Sequence, residues 1–217
     1  MLAGRLRMGL TAAAAAAGLA AFGAGLALLS WDVQLTLIVV GVTVLAAMWL
    51  IPRAVQKEPT VTVALLSVAL AAKIVGAFAR YTVLQVVYGG VADAVGYHAQ
   101  GSLYAPMVRA LDFSFLDFST LGTPIVGYFA AFVYAFTTPS MLTGFLVFSM
   151  LSFIGLWCFY RAHRISFPDG NHRLYFLLLF FLPTLVYWPS ALGKDALVVF
   201  GLGVATLGLA RIFHRPS

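Results

Sequence analysis

The sequence predicts an all-α protein, a polytopic transmembrane bundle of about six crossings plus one interfacial or re-entrant helix. Three observations predict it. Hydrophobic residues make up 62% of the chain and charged residues 9%, whereas a soluble domain carries about 25% charged residues. The apolar residues fall into runs of roughly the 20 residues that cross a hydrocarbon layer. The basic residues stand at the ends of those runs, as the positive-inside rule requires. The net charge of +6 is therefore spread along the chain and does not point to nucleic acid. Cys158 is the single cysteine, which rules out an internal disulfide or a cysteine metal cluster.

Arg5 and Arg7 precede an alanine-rich apolar run over 8–29. A secretory signal has a shorter core, about 7–15 residues, so this run is expected to remain as the first helix. A second span is expected over 33–51, followed by the loop PRAVQKEPT with Arg53 and Lys57. The third run, 61–88, carries Lys73 and Arg80, seven positions apart and so on one helical face. Charges inside a bilayer cost several kcal/mol unless they snorkel or find a partner. Two readings stay open: each snorkels to its own surface, or Arg80 pairs with an acid or a lipid phosphate.

Runs at 124–136 and 141–160 follow, then RAHRISFPDGNHR, a span at 174–188, the turn PSALGKD, and a last span over 196–212. Strict alternation through seven spans would put RAHRISFPDGNHR outside. Making 121–139 a helix that dips without crossing puts Arg5, Arg53, Arg161, Arg164, Arg173 and Arg211 all inside. That leaves six crossings, a cytoplasmic N-terminus, and both Asp93 and PSALGKD on the outer face.

The stretch 88–128 is where acidic, aromatic and small residues mix long enough to build a site in water. Gly89-Gly90 breaks the preceding run. Asp93 and Tyr97 are spaced i,i+4, on one face of a helix. Asp93 is also well placed to cap that helix. Asp112 and Asp117, among Phe and Leu, are expected on an amphipathic helix at the bilayer surface. Trp31, Tyr88 and Trp188 suit interface anchors.

Taken together, ADAVGYHAQG, TPIVGYFAAFVYAF with LTGFLVFSMLSFIGLWCFYRAHR, and LPTLVYWPSALGKDALVVFGLGVATLGLARI resemble, in order, the C-type membrane glycosyltransferases related to protein mannosyltransferase and lipid A aminoarabinose transferase. The resemblance covers about 61–213. It divides the chain into two extra N-terminal transmembrane helices, 1–60, and a glycosyltransferase-like module, 61–217, with an outer loop at 89–120. Four features depart from the family. Thr123-Pro124 stands where one branch has Lys-Pro-Pro, Ala94 follows Asp93 where a second acid is usual, two spans come first, and the family's C-terminal helices are expected to be missing.

The resemblance implies transfer of a sugar from a polyprenyl-phosphate donor to an acceptor hydroxyl outside a bacterial plasma membrane, in cell-envelope assembly. Asp93, Tyr97 and Asp195 would be catalytic, and Arg80, His98, Lys194 and Tyr128 would bind substrate. Asp93 would also orient a divalent cation, Mg or Mn, where one is used. Beyond the lipid bilayer, partner membrane subunits are possible. Two other readings remain: a non-catalytic membrane subunit or scaffold with the same fold, and a small transporter with Lys73 and Arg80 along its path.

Overall fold

A computed structural model describes residues 29–213, apart from 57, 118, 120 and 121. The helices are α1 Trp31–Val55, α2 Val63–Val86, α3 Asp93–Arg109, α4 Pro124–Thr137, α5 Met141–Ser166, α6 His172–Phe181, α7 Pro183–Tyr187 and α8 Lys194–Phe213. A single 3₁₀ turn, Trp188–Ser190, follows α7. There is no strand among the described residues. The protein is an all-helical membrane protein.

Four helices, α1, α2, α5 and α8, are long and apolar enough to cross a membrane, and the bent pair α6 and α7 with its 3₁₀ turn makes a fifth candidate. The expected count of about six is thus four or five among the described residues. The run at 8–29, expected as the first crossing, lies outside them. At 14 residues, α4 rises only about 21 Å, short of a hydrocarbon layer about 30 Å thick.

Three local expectations are corrected. The second span does not stop at 51, because α1 continues through Pro52 to Val55. The segment with Asp112 and Asp117 is not a surface helix. It is a series of turns, in which each carboxylate accepts an N–H two residues on, from Ser114 and Ser119. That local bonding competes with the helix, and it holds the Asp112 carboxyl below its usual range. The run at 174–188 is not one straight rod. Pro183 has no N–H to continue α6, and the chain bends by 52° there.

The packing follows small residues. A methyl group on Gly155 of α5 would collide with the carbonyl of Val199, and one on Gly203 of α8 with the carbonyl of Gly155. The two helices therefore touch backbone to backbone, as small residues permit in membranes. Gly101 of α3 does the same against Ala130 of α4.

Polar contacts tie the two ends. At one end Trp31 Nε1 donates to Thr138 Oγ1 at 3.0 Å, joining the start of α1 to the end of α4. At the other, the carboxylate of Glu58, between α1 and α2, meets Arg161 Nε at 3.2 Å and Arg164 Nε at 3.1 Å on the last turns of α5. PRAVQKEPT and RAHRISFPDGNHR thus share one end of the bundle, opposite α3.

Candidate functional site

Asp93 opens α3, and the residue before it in the capping position is Ala92. Asp93 therefore does not serve as the N-cap. It lies in the first turn, where the helix dipole favours a negative charge. One turn on, Tyr97 points to the same side, and Asp195 holds the equivalent first-turn position on α8. Two carboxylates are thus each placed at the positive end of a helix.

These helix starts meet around a cavity of about 330 Å³, lined among others by Arg80, Tyr88, Asp93, Tyr97, Trp188, Lys194 and Asp195. Arg80 comes from the penultimate turn of α2. Its floor is apolar: Leu84, Ala94, Phe145, Ala191 and Leu192 line it and belong to one core cluster. Five of the residues singled out from the sequence, separated by up to 115 positions between Arg80 and Asp195, therefore share one space.

Two donors at this cavity are unusual. Arg80 Nε and Tyr97 Oη are both buried and have no hydrogen-bond partner among the described residues. An unmet buried donor costs about 1–3 kcal/mol; Thr143, His163 and His172 each hold one further unmet polar atom, but only Arg80 and Tyr97 of these five residues line this cavity. The Arg80 guanidinium is held in place by aromatic rings, its Cζ lying 4.6 Å from the Trp188 ring centre and 5.0 Å from that of Tyr187. Arg80 thus faces a cavity and does not simply snorkel to a surface. Asp93, Lys194 and Asp195 are exposed around the rim, and no ion pair joins any of these charges among the described residues.

Two other expected site residues lie elsewhere. His98 Nδ1 bonds Tyr134 Oη at 2.8 Å, and the ring lines no part of the cavity. Burial pushes its pKa below the ordinary value, with Asp32 opposing. One step beyond Tyr97 on a helix turns a side chain by about 100°, which explains the divergence. Tyr128 is buried against Tyr104 and Phe115, where its hydroxyl meets the backbone of Asp117. It braces the 110–123 connection and is remote from the cavity lining.

Sequence reasoning missed two contributors. Trp188 was read as an interface anchor, yet it lines the cavity and stacks on Arg80. Lys73, for which snorkelling and a place along a transport path both stay open in the sequence, is only 2% exposed and donates from Nζ to the Leu185 carbonyl at 2.8 Å. No signal in the local sequence marks either contact. A metal cage is not formed: no group of three or more His, Cys, Asp or Glu among the described residues is placed to hold an ion. Two carboxylates, Asp93 and Asp195, do line the cavity. No family model, curated protein or solved structure compared with this chain matches it.

Proposed function

We propose that this chain is a membrane glycosyltransferase that moves a sugar from a polyprenyl-phosphate donor to an acceptor hydroxyl on the outer face of the membrane. One observation carries the reading. Two unmet buried donors, Arg80 Nε and Tyr97 Oη, border a cavity rimmed by two carboxylates and a lysine. A phosphate offers oxygen acceptors and negative charge to the donors, and the carboxylates suit proton removal. The placement of the cavity at a helix-end level, beside the exposed Tyr88 and Trp188, suits a lipid headgroup, because such residues favour the membrane interface. The common end shared by Arg53, Arg161 and Arg164 supports an outer position for the opposite, acidic end.

In this reading Arg80 and Lys194 bind the phosphate, and Tyr97 donates to one of its oxygens. The acceptor oxygen attacks the anomeric carbon as the bond from that carbon to the phosphate oxygen breaks. The bonding pair leaves with the phosphate. The acceptor proton passes to a carboxylate, and Asp93 is the first choice because it shares a helical face with Tyr97. The ammonium of Lys194 and the guanidinium of Arg80 offset the charge left on the phosphate. Asp93 and Asp195 also match the one or two carboxylates with which Mg²⁺ sites commonly complete themselves on substrate phosphates. Such an ion, held by those two residues, would add further charge neutralisation when bound.

The test is binding of farnesyl phosphate, a short polyprenyl phosphate, to the protein in nanodiscs, with farnesol as the uncharged control. Farnesyl phosphate should bind well above farnesol, and Arg80→Gln should weaken it about tenfold, the loss of one hydrogen bond to a charged group. Equal binding of both compounds would sink the reading. A second reading, a small transporter, draws on the broken α6–α7 pair, since interrupted helices line many transport sites. Flux of a phosphate-bearing solute across proteoliposomes without any sugar transfer would favour it.

A further inference from the structure

The break that shapes the cavity wall leaves a specific backbone group without its helical donor. In an α-helix the carbonyl of residue 185 would accept from the amide of residue 189. Residue 189 is Pro189, which has no N–H. In a membrane an unmet carbonyl costs several kcal/mol. Lys73 Nζ lies 2.8 Å from that carbonyl oxygen.

Lys73 reaches it from the middle of α2, three residues before Gly76. A methyl at Gly76 would come within 2.6 Å of the Val186 carbonyl, so α2 and α7 are in backbone contact there. The neighbouring polar groups are serines that serve the same break. Ser152 Oγ donates to the Pro189 carbonyl at 2.7 Å, and Ser190 Oγ to the Val186 carbonyl at 2.6 Å. Ser149 Oγ links Ser190 Oγ to the carbonyl of Lys73 itself, at 3.2 Å each. No carboxylate forms an ion pair with Lys73 among the described residues. A buried ammonium without a counter-charge is expensive, and the contact it makes here is with the carbonyl that Pro189 leaves open.

The residues on both sides of Pro189 serve the cavity. Tyr187 and Trp188 hold the Arg80 guanidinium, and Ala191 through Asp195 line the wall. We infer that Lys73 is a positioning residue: its ammonium replaces the amide hydrogen that Pro189 lacks, locks the kink at Pro189, and so sets the Arg80 clamp and the Lys194-Asp195 turn against Asp93. The structural part holds whatever the cavity binds, and the effect on donor binding rests on the polyprenyl-phosphate reading.

The substitution that separates this from general core damage is Pro189→Ala, which returns an N–H to Leu185. The experiment compares wild type, Lys73→Met and Lys73→Met/Pro189→Ala in nanodiscs by amide hydrogen exchange over 183–195 and by farnesyl phosphate binding. Lys73→Met should speed exchange in that segment and weaken binding, each about tenfold for one lost hydrogen bond to a charged group. The double variant should return both close to wild type. Where Lys73→Met alone does not fold, Pro189→Ala should restore folding. A double variant no better than Lys73→Met, or a Lys73→Met protein with wild-type exchange, overturns the assignment. Exchange rescued in a protein that never binds farnesyl phosphate keeps the role of Lys73 and removes the donor reading alone.

Discussion

At one end of the bundle both carboxylate oxygens of Glu58 are engaged, one with Arg161 and one with Arg164. Tyr160 Oη adds a long contact at 3.5 Å and itself bonds Thr60 Oγ1 at 2.8 Å. At the other end Arg80, Asp93, Lys194 and Asp195 surround open space, and no ion pair joins them among the described residues. Both ends concentrate charge where helices leave the apolar layer. At the Glu58 end folding itself satisfies the charges, so the acid can be 8% exposed. At the cavity end they remain available beside the unmet donors of Arg80 and Tyr97, whereas the unmet ring nitrogens at the Glu58 end, on His163 and His172, belong to rings packed edge to face that line no part of that cavity. The difference separates charge used to hold two segments together from charge that folding leaves unpaired.

The sharpest way to break that comparison is to remove one carboxylate from each end. Asp93→Asn keeps the side-chain shape but cannot take a proton. It should cut sugar transfer by about 10²–10⁴, the usual worth of a positioned general base. Its loss of stability should stay within the roughly 0.3–1 kcal/mol of a first-turn acid. Transfer assays with polyprenyl-phosphate sugars, alongside thermal unfolding, read both. Wild-type turnover in the Asn variant would remove Asp93 from the chemistry.

Glu58→Gln should behave in the opposite manner. It leaves two arginines facing each other without their shared counter-ion. A fully buried pair loses about 3–5 kcal/mol on such a change. The arginine side chains here are 35% and 25% exposed, so solvent screening reduces the expected loss to about 1–3 kcal/mol. Farnesyl phosphate affinity should not change. A Glu58→Gln protein that unfolds normally yet loses binding would mean that the two ends are coupled, and the contrast would fail.

The smallest effect sharpens the argument most. Tyr97→Phe deletes a buried hydroxyl with no partner, so the free protein should be as stable as wild type or slightly more so. The same change should weaken farnesyl phosphate about threefold to tenfold, the worth of one ordinary hydrogen bond. A stability loss with unchanged affinity would assign the hydroxyl to the fold.

Much of this molecule is written in local sequence. The apolar runs at 33–51, 61–88, 141–160 and 196–212 appear as α1, α2, α5 and α8 with shifts of a few residues at most ends, because hydropathy over about 20 residues is itself the physical requirement. The i,i+4 spacing of Asp93 and Tyr97 was enough to put both on one side of a helix. The 110–117 segment was misread because its apolar residues suggested a helix, while Asp112 and Asp117 bond their own backbone and favour turns. His98 was misread for lack of a partner: nothing near it in the chain announces Tyr134, 36 positions on.

The sequence by itself determined that this is a helical membrane protein, that its charges gather at helix ends, and that an acid stands in the first turn of both α3 and α8. Each of these depends on residues within one turn or one span of each other. Only the tertiary structure decided that Arg80, Asp93 and Asp195 border one cavity, that Trp188 clamps Arg80, and that Lys73 supplies the hydrogen missing at Pro189. Periodicity fixes which face of a helix a residue occupies, but not which helix it meets. That choice is made by close backbone approach at small residues such as Gly76, Gly155 and Gly203, and by where prolines leave carbonyls open. It joins positions as far apart as the 112 residues between Lys73 and Leu185, a distance over which no local pattern carries information.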